Sequence, residues 1–174
     1  DDIRAYNYFQ GEPMKLYCNE QVEVALRREF HYAFNEFKYP GAPEIEIKRI
    51  SNNQQFSVGD ISFTPIELLH YKLPVLGFRI GDFVYITDAN FISEQEKKKL
   101  FGCQYLVLNA LRKEKHISHF TLSEAIELST EINPKQTYFT HISHQLGLHK
   151  TVNRELPHGF QLAYDGLELL IETN

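Results

Sequence analysis

Behind Asn19 the apolar residues Val22, Ala25, Leu26 and Phe30 return at helical spacing, which predicts a helix over 20–34 with Asn19 as its cap. Before it, residues 2–9 read as a short helix capped by Asp1 or Asp2 and stopped at Gly11 and Pro13, and residues 14–18 read as a strand. From 43 to 87 the rhythm shortens. EIEIKRI, FSV, ISFTPIELL, VLGFRI and FVYIT are β-branched or aromatic runs parted by turn residues such as Gly59-Asp60 and Gly81-Asp82, and their close spacing predicts antiparallel hairpins. After Asp88, helices and strands alternate: helix 93–101 capped by Ser93, strand 105–108, helix 121–132, strand 137–140, helix 146–154 and a closing hairpin about Asp165-Gly166. The pattern gives one α/β domain over 1–174, strand meanders flanked by helices.

Composition narrows the class. The chain has 174 residues, 43% hydrophobic and 24% charged, which are values of a folded protein. Lys and Arg total 18 against 23 Asp and Glu, a net charge of -5 that argues against a surface built for nucleic-acid backbones or anionic lipid. No apolar run approaches the ~18 residues of a membrane helix. Cys18 and Cys103 lack paired-motif spacing and are expected to be free thiols of a cytoplasmic protein. The interleaved basic and aromatic residues of 28–39 are expected to be a helix end and packing loop, with His31 packed or half buried. Lys97–Lys99 and the Arg112, Lys113, Lys115 group are expected on solvated faces, as are His149 and His158.

The ends of the apolar strands carry the candidate chemistry. ISFTPIELL runs into His70, FVYIT into Asp88, YLVL into Asn109 and TYFT into His141. Polar residues at the carboxyl ends of neighbouring strands converge on one rim in α/β sheets, and two histidines with an aspartate suit Zn²⁺, Mn²⁺ or Fe²⁺. Asn109 is placed to support such a site rather than to form it.

Three strings go further. LLHYKLPVLGFRI, YITDAN and YFTHISHQLGLHK resemble the later motifs of the metallo-β-lactamase fold, most nearly its PhnP-like cyclic phosphodiesterases and more distantly RNase Z. The resemblance implies that His70, Asp88 and His141 are metal ligands, with Asp88 bridging two divalent ions, Zn or Mn. It implies that His119 of HFTLSEA is a catalytic proton donor to the leaving group. His144 matches a ligand of a separate structural zinc, although the cysteines that accompany it in some relatives are absent. The implied substrate is a small or cyclic phosphodiester, with no membrane partner and RNA only on an RNase Z-like alternative. A homodimer is an open expectation.

The resemblance has a gap. The motif HxHxDH, which brings four of the family's seven ligands, is absent. The chain also opens at Asp1-Asp2 without an initiator Met, so it is read as an inactive or weakly active C-terminal part of an αβ/βα sandwich whose first strands are missing. Alternatives are a hydrolase of the same fold acting on a thioester, lactam or tRNA precursor, or a non-catalytic binding domain.

Overall fold

The computed structural model describes residues 2–171, and the chain divides into two compact units, residues 1–52 and 53–174. The first unit holds α1 (Arg4–Gln10), β1 (Met14–Cys18), α2 (Glu20–Glu29), α3 (His31–Phe34) and β2 (Ile45–Arg49). Asn19 caps α2 as expected, its side chain accepting from the Val22 N–H. The helix predicted over 20–34 is broken at Phe30 (φ -114°, ψ 36°) into α2 and α3. Asp2 does not cap α1, which starts from Ile3; Asp1 lies outside the described residues. β2 joins no hairpin. It pairs parallel with β1, Met14 opposite Ile45 through Cys18 opposite Arg49, because α2 and α3 fill the connection and a crossover of that length permits a parallel pair. His31 is exposed, not packed, with only Tyr32 edge-on to its ring among the described aromatic contacts.

The second unit holds β3 (Phe56–Val58), β4 (Ile61–His70), β5 (Leu73–Ile80), β6 (Phe83–Ile86), β7 (Phe91–Ile92), α4 (Glu94–Lys97), β8 (Tyr105–Asn109), α5 (Leu122–Ile132), β9 (Gln136–Thr140), α6 (His149–Glu155) and β10 (Phe160–Leu162). One mixed sheet runs in the order β10-β9-β8-β6-β5-β4-β3, with β7 beside β4. The meander β3 to β6 is antiparallel, as the spacing predicts, and β6, β8, β9 and β10 are parallel. Alternate residues Ile66, Leu68, Val84, Ile86, Leu106, Leu108 and Phe139 bury one face of this sheet against Leu122, Ala125, Leu128 and Ile132 of α5 and Val152 of α6. Thr121 starts α5 with a reciprocal capping box to Glu124. At Gly77 a β carbon would meet Ile86 Cγ1 and the Tyr85 carbonyl at 2.9 Å, so glycine is required by the approach of β6.

Between β3 and β7 the outer edge of β4 has no strand partner among the described residues, and the sequence seals it chemically. Pro65 offers no N–H there, its carbonyl accepts from Lys99 Nζ (2.9 Å), and the Glu67 N–H donates to Glu96 Oε2 (2.7 Å). Lys97 meanwhile binds Glu94 and Glu131. Lys97 and Lys99 are therefore structural anchors rather than the solvated face expected; Lys98 alone of the three is exposed. α4 is shorter than predicted, and the expected closing hairpin does not form among the described residues. β10 instead adds parallel to β9, and Asp165-Gly166 make a turn closed by the Leu167 N–H on the Tyr164 carbonyl. Both cysteines are buried and free, and no helix among the described residues is long and apolar enough to cross a membrane.

Candidate metal centre

Strand direction builds the rim. β4 and β6 are each antiparallel to β5, hence parallel to one another, so His70 at the end of β4 emerges on the same side as Asp88 after β6, Asn109 at the end of β8 and His141 after β9. The loop from β8 to α5 brings His116, Ser118 and His119 to it.

These side chains converge. Ligand atoms of His70, Asp88 and His119 lie within 4.8 Å of one another. Asp88 Oδ1 stands 3.4 Å from His119 Nε2 and 3.5 Å from His141 Nε2. The His119 ring stacks on His141 at 4.7 Å and meets His70 edge-on at the same separation. Both contacts to Asp88 are longer than a well-made charge-assisted bond, which falls near 2.7–2.9 Å. They match the roughly 3.3–3.4 Å that separates neighbouring ligands when each sits 2.0–2.1 Å from a tetrahedral zinc. The donor set thus fits a divalent cation in both chemistry and spacing.

The backbone is held for this purpose. Asp88 (φ 54°) and His141 (φ 55°) are both left-handed, as is Tyr71 (φ 58°) directly after His70. Such a conformation costs of order 1–3 kcal/mol at a residue with a side chain and persists only where the surroundings impose it. Here Asn109, fully buried, donates to the Ala89 carbonyl (2.9 Å) and accepts from the Ala89 N–H (3.0 Å), gripping the residue after Asp88. Asn90 accepts from the Tyr71 N–H (2.6 Å) and ties the His70 turn to the same loop. The Phe120 N–H reaches the Ala89 carbonyl, and the Ser143 N–H reaches the Leu111 carbonyl, so the segments carrying His70, Asp88, His119 and His141 are cross-linked.

Electrostatics favour an ionised Asp88. Burial raises its pKa, but the Thr87 hydroxyl (3.0 Å) and the neighbouring His141 and His119 outweigh this and hold it below the ordinary carboxylate range. Burial pushes His119 below the usual imidazole value. A bond to Asp88 opposes the shift, and His141, His70 and His116 add to it.

His70, Asp88, His119 and His141 are therefore gathered, with Asn109 behind them. His144 is exposed in a 3₁₀ turn, His144–Leu146, outside the cluster found among the described residues. Arg112 braces its own loop by donating to the Glu114 and Lys115 carbonyls and to Gln145, and Lys113 pairs with Glu155. Three residues escaped the sequence reading. His116 and Ser118 lie against His119, and Lys72 with His70, Tyr71, Leu73, Ile117 and Ser118 lines an open recess of about 530 Å³ beside the cluster. The only sequence signal for His116 is its three-residue spacing from His119, which means little until the loop is known to end at the rim.

The profile of the Beta-lactamase superfamily domain matches residues 1–142. The chain belongs to the metallo-β-lactamase superfamily. A solved diphosphatase of the PhnP family superposes on 99% of this superfamily chain with a TM-score of 0.88 and 34% identity, the match spanning 66% of that structure. Human short-form tRNase Z superposes on 91% with a TM-score of 0.60 at 17% identity, the match spanning 68% of that structure. The curated octanoyltransferase of Porphyromonas gingivalis is 31% identical over 173 residues, 99% of this chain and 35% of that protein. The metallo-β-lactamase fold, near the PhnP branch and further from RNase Z, is therefore what the motifs indicated. The chain spans about a third of the curated relative's length and two thirds of the diphosphatase.

Proposed function

We propose that His70, Asp88 and His141 form one part of a dinuclear hydrolytic centre for small or cyclic phosphodiesters. The observation that carries the reading is the convergence of His70, Asp88 and His141 on one rim, with His141 Nε2 3.5 Å from Asp88 Oδ1, at ligand spacing rather than bonding distance. Divalent cations, zinc or manganese, held by His70, Asp88 and His141 would supply Lewis acidity and an activated water. Asp88 stays ionised under its hydrogen bond from Thr87 and is the residue suited to bridge. His119, whose Nε2 stands 3.4 Å from Asp88 Oδ1, is the proton donor to the leaving oxygen. The recess next to His70 admits a small substrate, and Lys72 on its wall offers positive charge to a phosphoryl oxygen. The two buried free thiols suit a reducing, cytoplasmic setting.

The PhnP-family relative supports hydrolysis at phosphorus, and its description as a diphosphatase favours a second reading in which the scissile bridge is a phosphoanhydride. The octanoyltransferase name does not carry over so readily. The match leaves about two thirds of that protein uncovered, and burial raises the thiols of both cysteines here, leaving neither ready to accept an acyl group.

Two ions need about four ligands each, and His70, Asp88 and His141 are three in all. On this reading the chain of 174 residues alone binds metal weakly and turns over little. Elemental analysis and a bis-p-nitrophenyl phosphate assay, on this chain and on the product of the full reading frame, test it. Two ions and activity in the longer product, both lost in His70→Ala, Asp88→Asn and His141→Ala, are expected. Tight stoichiometric metal with turnover in the shorter chain overturns the division of ligands. Metal and activity in neither product favour the binding-domain alternative; hydrolysis of diphosphates but no diesters moves the substrate to the second reading.

A further inference from the structure

His116 and His119 meet through like atoms. Their Nδ1 nitrogens are 3.0 Å apart, and Ser118 Oγ lies 3.0 Å from His119 Nδ1 and 3.4 Å from His116 Nδ1. Two unprotonated nitrogens repel at such a distance, so one hydrogen lies between them. The Ser118 N–H settles which ring carries it. That N–H donates to His116 Nδ1 at 3.3 Å, which makes His116 Nδ1 an acceptor and leaves the hydrogen on His119 Nδ1. A Ser118 hydroxyl donating to His119 Nδ1 would not help, since it would turn two lone pairs toward each other.

We propose that His116 is a positioning residue whose Nδ1 accepts the hydrogen of His119 Nδ1, so that neutral His119 turns an unprotonated Nε2 toward Asp88. Nε2 and Asp88 Oδ1 are then two acceptors 3.4 Å apart, a gap that only a proton or a cation fills favourably. In the phosphodiesterase reading, on which this consequence rests, the gap is where His119 carries its second proton. As the Nε2–H bond breaks, that proton forms an O–H bond with the leaving oxygen, and the imidazolium becomes the neutral Nδ1–H form that His116 already stabilises. The arrangement plays the part that an acceptor behind a catalytic histidine plays elsewhere, with an imidazole in place of a carboxylate.

Long-range ¹H–¹⁵N NMR of the metal-free chain, labelled at the histidine rings and assigned with His119→Asn, reads the tautomer directly and needs no activity. His119 is expected as Nδ1–H with an unprotonated Nε2. His116→Phe should move it toward Nε2–H, His116→Asn, which keeps an accepting oxygen at short reach, should restore Nδ1–H, and Ser118→Ala should leave it unchanged. A wild-type His119 found as Nε2–H overturns the proposal whether or not any variant folds. So does a His116→Phe spectrum with native amide dispersion and an unmoved tautomer, or a shift produced by Ser118→Ala instead. Failure of the function reading shows separately, as the expected tautomer in a full-length product that hydrolyses no phosphodiester.

Discussion

The two units of the chain are held by different forces. In residues 53–174 the sheet and its helices bury a continuous set of aliphatic residues, many of them fully inaccessible. Among the described residues of 1–52 the buried hydrophobic ones are only Cys18, Ala33 and Ile50, while Tyr8, Phe9, Phe37 and Tyr39 are at least 80% exposed. Polar clamps do the joining there. Asn7 exchanges two bonds of 2.9 Å with the backbone of Glu44, and Glu23 on α2 binds Arg27 and Arg49. The contrast explains where the chemistry lies. Strained backbone at Asp88 and His141 needs rigid support, and the unit with the continuous aliphatic core provides it.

The sharpest way to break this contrast is Asn109→Ala. It leaves the buried N–H of Ala89 unpaired at about 1–3 kcal/mol, takes one of two donors from the Ala89 carbonyl (the Phe120 N–H stays), opens a cavity in the core and frees the turn carrying Asp88. Denaturant unfolding should register a loss of that order, and any affinity of the cluster for a divalent cation should fall with it. Unchanged stability would mean that the rim is not hung from the core. Gly77→Ala is expected to cost less, about 1–3 kcal/mol, by forcing a methyl group onto Ile86 and the Tyr85 carbonyl. Amide exchange in β5 and β6 should rise first; a neutral result would show that β6 can give way.

Much of this was legible from the chain. β3 and the ladder from β4 to β6 follow from short β-branched or aromatic runs between turn residues, and the strand ends put His70, Asp88 and His141 on one rim. What was missed has physical causes. Val22 and Phe30 have helical spacing, yet it is Glu23 that α2 buries, because two arginines compensate its charge and a pattern of hydrophobicity cannot register that. β7 is too short to carry a period, and the parallel docking of β10 depends on partners distant in sequence. Lys97 and Lys99 look solvated until the unpaired edge of β4 is seen. His116 carries no signal alone, since its meaning is a 3.0 Å approach made by a loop.

The smallest expected effect sharpens the comparison from the other side. Hydrogen bonds from Arg27, then Arg49, lower the Glu23 pKa against an opposing contribution from burial. A carboxylate whose pKa is lower folded than unfolded adds stability above its unfolded value, and that increment is lost as pH falls through the folded value. Amide protection of residues 20–29 and 45–49 should therefore weaken as pH drops below the ordinary carboxylate range. Glu23→Gln should remove most of this dependence and lower neutral-pH protection of the same segments by the same amount, a small one because both arginines keep their heads in water. Added salt should weaken the same segments and leave the β8 and β9 amides unmoved. If the acid response of residues 20–29 persists undiminished in Glu23→Gln, the clamp is not what holds the first unit, and its few buried apolar residues must do more than their number suggests.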